Sequence, residues 1–195
     1  MSTVPAFDLA VRDDPAGLAV LARARWPGRS GEGLPSIPGF IVSSFSPLVA
    51  ELADRCLRRY FGTSPADRGR GERTAVLLAS TSGDLATAAA VAGAVDAGRR
   101  VPPLLFYQSN PNAIVGYLTA RWGLAGPVVC TSPAADALGD ALRLAVLLIG
   151  DGDADAVLVI VAEQGTPGAG SDRGTAMLVG PKSWPPAPTR QEGDE

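Results

Sequence analysis

The stretch GPVVCTSPAADALGDAL, residues 126–142, decides how the rest of the chain is read. Val128, Val129, Cys130 and Thr131 form a short β-type run, Ser132-Pro133-Ala134-Ala135 turns the chain, and an alanine- and leucine-rich helix follows. In α/β enzymes such a strand-to-helix turn is a place for a nucleophile, because the helix N-terminus stabilises negative charge developing there. Here the turn offers only the hydroxyls of Thr131 and Ser132, with Asp136 as the next carboxylate. The chain contains no histidine, which removes Ser-His-Asp and Cys-His arrangements, imidazole acid/base work and His-ligated zinc together. An unactivated hydroxyl is a weak nucleophile. The turn has the shape of a site without its chemistry.

Working outward, 195 residues suit one domain with a core of ordinary size. Hydrophobic residues make up 46% and aromatics only 6%, so the interior must be packed by Ala, Val and Leu. A formal net charge of -3 gives no basic footprint, which argues against a nucleic-acid partner. The N-terminus lacks a charged region followed by an apolar run, and LAVLLIG (144–150) is too short to span a bilayer, so a cytoplasmic protein without a membrane partner is expected. Cys56 and Cys130 each fall inside an element and read as free, half-buried thiols.

Alternating strands and helices fill the chain. Residues 6–12 read as a first strand and 14–26 as a helix or helical turn; 27–39 are a Gly/Pro/Ser loop. A helix is expected over 45–62, with Ser46 as N-cap and Pro47 at its first position, followed by a solvated loop over 63–73. TAVLLAS (74–80) reads as a strand covered on both faces. A helix of small residues over 83–98 is suited to close approach by its neighbours. Two prolines should keep 99–109 extended, and Asn110 with Pro111 opens a helix over 110–123. The helix over about 134–149, strands over 155–163 and 174–180, and a disordered tail complete the pattern. DGDADA (151–156) imitates a calcium loop but has Ala156 where Gly is needed, and GAGSDRG (168–174) lacks dinucleotide spacing, so no metal and no cofactor is expected.

The segment 110–163 resembles the N-terminal half of the β-ketoacyl synthases of the thiolase fold. The resemblance rests on Asn112, Gly116, Gly123-Leu124, Gly126-Pro127, Ala154-Asp155 and Ala162-Glu163, and extends more loosely over residues 40 to 181. The fold it implies is α/β: half of a thiolase-like fold, a mostly parallel five-stranded sheet with helices on both faces. The domain would span 1–181, with 182–195 as tail. In that family the nucleophilic cysteine lies eight residues beyond the Pro of the Gly-Pro pair, which falls on Ala135 here. A full ketosynthase also has a second, similar half bringing the catalytic histidines.

By resemblance, then, the chain is a non-catalytic relative similar to the short partners and chain-length factors of type II polyketide or aryl-polyene ketosynthases. Its expected partners are a catalytic β-ketoacyl synthase, alone or already paired with a chain-length factor, and acyl carrier protein. The family's strand before the nucleophile pairs across the dimer, which implies Pro127, Val128, Val129, Cys130 and Thr131 as that edge. Leu105, Phe106, Tyr107, Gln108, Asn110 and Asn112 are candidates for the dimer contact and for lining the acyl tunnel. Two other readings stand beside this one: a thioester hydrolase using Ser132 with Asp136, and a scaffold that binds acyl carrier protein through Arg68, Arg70 and Arg73.

Overall fold

A computed structural model describes residues 17–165 and 170–184. In chain order its elements are β1 (Ala19–Trp26), α1 (Phe45–Phe61), α2 (Arg68–Glu72), β2 (Thr74–Ala79), α3 (Leu85–Asp96), α4 (Pro103–Gln108), α5 (Pro111–Trp122), β3 (Val128–Thr131), α6 (Ala137–Gly150), β4 (Ala156–Glu163) and β5 (Arg173–Gly180). The strand expected over 6–12 and the tail beyond residue 184 lie outside the described residues.

The five strands form one sheet in the order β1-β5-β4-β2-β3. β4, β2 and β3 are parallel to one another, whereas β5 runs antiparallel to both β4 and β1. The sheet is therefore mixed, not mostly parallel. The reversal follows from the short connection of β4 to β5, from Glu163 to Arg173, which is below the dozen or more residues that a parallel crossover needs.

Period-2 alternation divides the core. Val76, Leu78, Leu158, Ile160, Ala176 and Leu178 face α1 and α5. Ala75, Leu77, Val157, Val159, Val161, Met177 and Val179 form the opposite core, against which α6 lays Ala137, Ala141 and Ala145. Every residue of β2 and β4 is buried, as the continuous apolar runs required.

Two glycines explain the spacing of the Gly-Leu-x-Gly-Pro segment. Gly123 ends α5 in the left-handed region at φ 68°, a conformation costly for a side chain. Gly126 passes so close to β2 that a Cβ would lie 2.6 Å from the Thr74 carbonyl. The Pro127 carbonyl then accepts the Val76 N–H at 2.9 Å, which starts the β2–β3 ladder.

Several local expectations are corrected. Residues 19–26 form a strand because LARARW alternates, burying Ala22, Ala24 and Trp26 while β5 supplies its ladder. α1 starts at Phe45 after Ser44; Ser46 is buried within the helix, and Pro47 is not at its first position. Within the expected loop, Asp67 caps α2 by accepting the Arg70 N–H. Pro103 opens α4 where an extended segment was expected, since proline costs nothing at a first helical position. α3 buries only Thr87 and Ala94, with Ala86, Ala90 and Val91 half-buried and the rest exposed. α6 is covered on one side only, although its composition suggests a central helix. Asn110 and Pro111 open α5 as read, and Cys56 and Cys130 are both free. No helix among the described residues is long and apolar enough to cross a membrane.

Candidate functional site

The site is built at the carboxyl ends of β2 and β3, where open α/β sheets place their crevices. A cleft of about 250 Å³ is bounded by Phe45, Leu78, Pro111 and Cys130, with hydroxyls from Ser80, Thr81, Ser82, Thr131 and Ser132 around them. The residues of the 80–83 loop, and Phe45, were not singled out from the sequence. The signal of the 80–83 loop is positional, since it directly follows the buried parallel strand β2, whereas Phe45 opens α1.

The carboxylates near the cleft are committed to holding backbone. Glu163, buried at the end of β4, accepts the Thr81 N–H at 2.6 Å, the Ser82 N–H at 3.4 Å and, more weakly, the Ser80 hydroxyl at 3.5 Å. Asp84 caps α3 by accepting from the Thr87 N–H and hydroxyl, and the Ser43 hydroxyl also donates to it. Asp136 caps α6 through the Gly139 N–H at 2.9 Å. The Ser132 hydroxyl donates to the Thr81 carbonyl at 3.1 Å, so its proton points at an amide oxygen and away from any base. This geometry disfavours the Ser132–Asp136 hydrolase reading. Ala135 is exposed in the turn just before α6.

Cys130 lies on β3, facing the α5 side, and its thiol donates to Asn112 Oδ1 at 3.2 Å. Burial pushes its pKa up, and burial pushes Cys56 up to about 12. Neither is disposed to form the reactive thiolate.

The candidate interface residues separate into two groups. Pro127 to Thr131 lie at a sheet edge, since β3 is the last strand on its side among the described residues. Val76 N–H donates to Pro127 and Ser80 N–H to Thr131, so the main chain of 127, 129 and 131 faces β2. That of Val128 and Cys130 consequently faces outward. In α4, Phe106 and Tyr107 are 74% and 58% exposed, whereas Leu105 and Gln108 are buried. Gln108 instead anchors the 39–44 loop and α3: it bonds both main-chain groups of Ile41 and donates to the Thr87 hydroxyl at 2.7 Å. Asn110 is the N-cap of α5, accepting the Asn112 N–H. The anchored loop exposes Ile41 and Val42, two apolar residues not anticipated from the sequence.

Arg68, Arg70 and Arg73 are each engaged close by, with Glu72, Asp67 and Asp155 respectively. Arg70 also lies over the Tyr60 ring at 5.8 Å. A mutually neutralised group of this kind makes a poor electrostatic landing patch for an acidic carrier protein.

A mixed sheet whose uncovered parallel edge leads into a helix-capped turn defines a ketosynthase-like half-fold of the thiolase type. Residues 63–175, more than half of the chain, match the model of the β-ketoacyl synthase N-terminal domain, and the protein belongs to that family. A structure of the ketosynthase ApeO in complex with its chain length factor ApeC from Xenorhabdus doucetiae contains a similar chain. The TM-score is 0.67 at 20% identity, over 85% of this chain and 79% of that one. The ishigamide ketosynthase/chain length factor matches at TM-score 0.64 and 20% identity, over 83% of this chain and 50% of that one. A β-ketoacyl synthase from Burkholderia phymatum matches at 0.60 and 16%, over 86% and 53%. The chain thus spans about half the length of the latter two. At these identities the likeness is one of fold. No curated protein sequence matches the chain.

Proposed function

We propose that this protein is a non-catalytic ketosynthase-like subunit that pairs along β3 with an active β-ketoacyl synthase of type II polyketide or polyene biosynthesis. In that pair it helps shape the acyl tunnel or chain length, while acyl carrier protein delivers the chain to its partner. The observation that carries the reading is the contrast between the two sheet edges. β1 carries Arg23 and Arg25, the kind of charge that discourages edge-to-edge pairing. β3, VVCT, carries no charge, presents Val128 at 44% exposure, and turns the main chain of Val128 and Cys130 outward. An uncharged edge of this kind is a template for a partner strand.

Ala135 at the turn and the absence of histidine support the non-catalytic part of the proposal. Condensation requires a thiolate to carry the acyl group and donors to stabilise the developing enolate and oxyanion. The matched ketosynthase/chain length factor structures support the kind of partnership proposed, and Phe106 and Tyr107 are the side chains proposed to reach the shared tunnel.

The test is co-expression with the type II β-ketoacyl synthases of its source organism, followed by chromatography with mass determination. A stable complex is expected, and the mass distinguishes a lone ketosynthase from one already holding a chain-length factor. Val128→Pro removes only an outward-facing donor from the first residue of β3, so it should abolish the complex while the melting temperature stays close to wild type. Failure to bind any of these ketosynthases would overturn the reading.

A further inference from the structure

We infer that residues 39–44 form a strain-loaded latch on the cleft beside Phe45: the bonds on either side of Val42 hold it in a left-handed conformation, and their release relaxes Val42 and frees Phe45 from the cleft wall. The device is separate from the pairing proposed at β3 and does not rest on it.

Val42 is the one non-glycine residue with a positive φ, 71°, among the described residues. That region is costly for any side chain and most of all for a β-branched one. Its side chain is 65% exposed, so burial does not offset the cost. The conformation is imposed from both flanks. On one side Gln108, itself buried, holds both main-chain groups of Ile41. On the other, the Ser43 hydroxyl donates to Asp84 and accepts from Gln164 Nε2 at 3.0 Å, and the same amide donates to the Ser44 hydroxyl at 3.1 Å. A strained residue persists only where its surroundings over-determine it, and such residues gather at clamps and switches.

The bonds that hold Val42 also hold the cleft. The Ser43 hydroxyl accepts the Phe45 N–H at 3.1 Å, and Phe45 bounds the cleft. Asp84, which receives Ser43, directly follows the 80–83 loop of the cleft lining, and Gln164 Oε1 accepts the Ala86 N–H at 2.9 Å just beyond it. One hydroxyl and one amide therefore join the segment carrying Val42, the Phe45 wall and the 80–83 loop. The strain at Val42 raises the energy of this closed arrangement alone, which brings an open one within reach of local fluctuation.

The experiment is hydrogen exchange on the full chain, with iodoacetamide labelling of Cys130, which borders the same cleft. In Val42→Gly the strain is gone, so the amides of Ile41, Phe45 and Ala86 should exchange together about threefold slower or more, and Cys130 should be labelled more slowly. Val42→Ala keeps a Cβ and should shift these rates far less. Gln164→Ala should speed exchange at Ile41 and Phe45, whose own bonds it leaves intact, about threefold or more, and speed the labelling of Cys130. Exchange unchanged or faster in Val42→Gly overturns the inference, as does acceleration confined to Ala86 in Gln164→Ala, or a Cys130 rate indifferent to both variants. Val42→Gly keeps every anchoring bond and decides the question even if Gln164→Ala does not fold.

Discussion

The side-chain amide of Gln108 closes on the main chain of Ile41 from both directions, its Nε2 donating to the carbonyl at 2.6 Å and its Oε1 accepting the N–H at 3.0 Å. One buried amide thus fixes the 39–44 loop against α4 and α3, behind the exposed Phe106 and Tyr107.

Removing that clamp should be costly. Gln108→Ala leaves both main-chain groups of Ile41 without this partner, while the Thr87 hydroxyl keeps its bond to Asp84, and each buried group left unpaired costs about 1–3 kcal/mol. Chemical denaturation is expected to show a loss of at least about 2 kcal/mol. Hydrogen exchange should locate the loosening at residues 39–44; a loss spread evenly over the sheet would contradict the local role.

Two glycines in adjoining elements predict opposite signs. Gly126→Ala drives a Cβ into the Thr74 main chain, which cannot rotate away, and should destabilise by about 3 kcal/mol or more. At Gly116 nothing lies within 4 Å of a built Cβ, and the position is exposed in the middle of α5. Gly116→Ala should stabilise by up to about 1 kcal/mol. Melting temperatures of the two variants check both signs.

Acid stability should carry a signature of Glu32. Its carboxylate accepts from Arg55 at 2.7 Å and 3.2 Å and from the Gly28 N–H at 2.8 Å, contacts that hold its pKa near about 2 against an ordinary 4.5. A pKa depressed in the folded state contributes stability that is complete above the unfolded value and is lost as the pH falls through the folded one. The advantage of wild type over Glu32→Gln should therefore be constant above about pH 5 and shrink between about 4.5 and 2. A difference that stays flat down to pH 2.5 would refute this account.

Placing a thiol at position 135 should not confer condensing chemistry. In Ala135→Cys the new side chain sits in an exposed turn at the start of α6, whereas burial raises the pKa of Cys130 and Cys56. Iodoacetamide should label position 135 about tenfold faster than either native cysteine. No condensing activity is expected, because nothing replaces the missing imidazoles; any turnover would sink the non-catalytic reading.

The sequence by itself determined the buried elements and the absence of imidazole chemistry. The unbroken apolar runs of β2 and β4 left no alternative to strands covered on both faces. Asn110-Pro111 marked the start of α5, and a chain without histidine cannot assemble imidazole catalysis in any fold. What only the tertiary structure decided is where the sheet ends. β1 became a strand, despite helix-forming alanines and arginines, because β5 offered it a ladder. α4 formed where prolines suggested extension, because Pro103 falls at its first turn. Whether α6 was central or half-uncovered, and whether VVCT was an inner strand or a bare edge, could not be read from residues 126–150. Local sequence records a residue's preference to be buried, but which neighbour buries it is fixed only when distant segments meet.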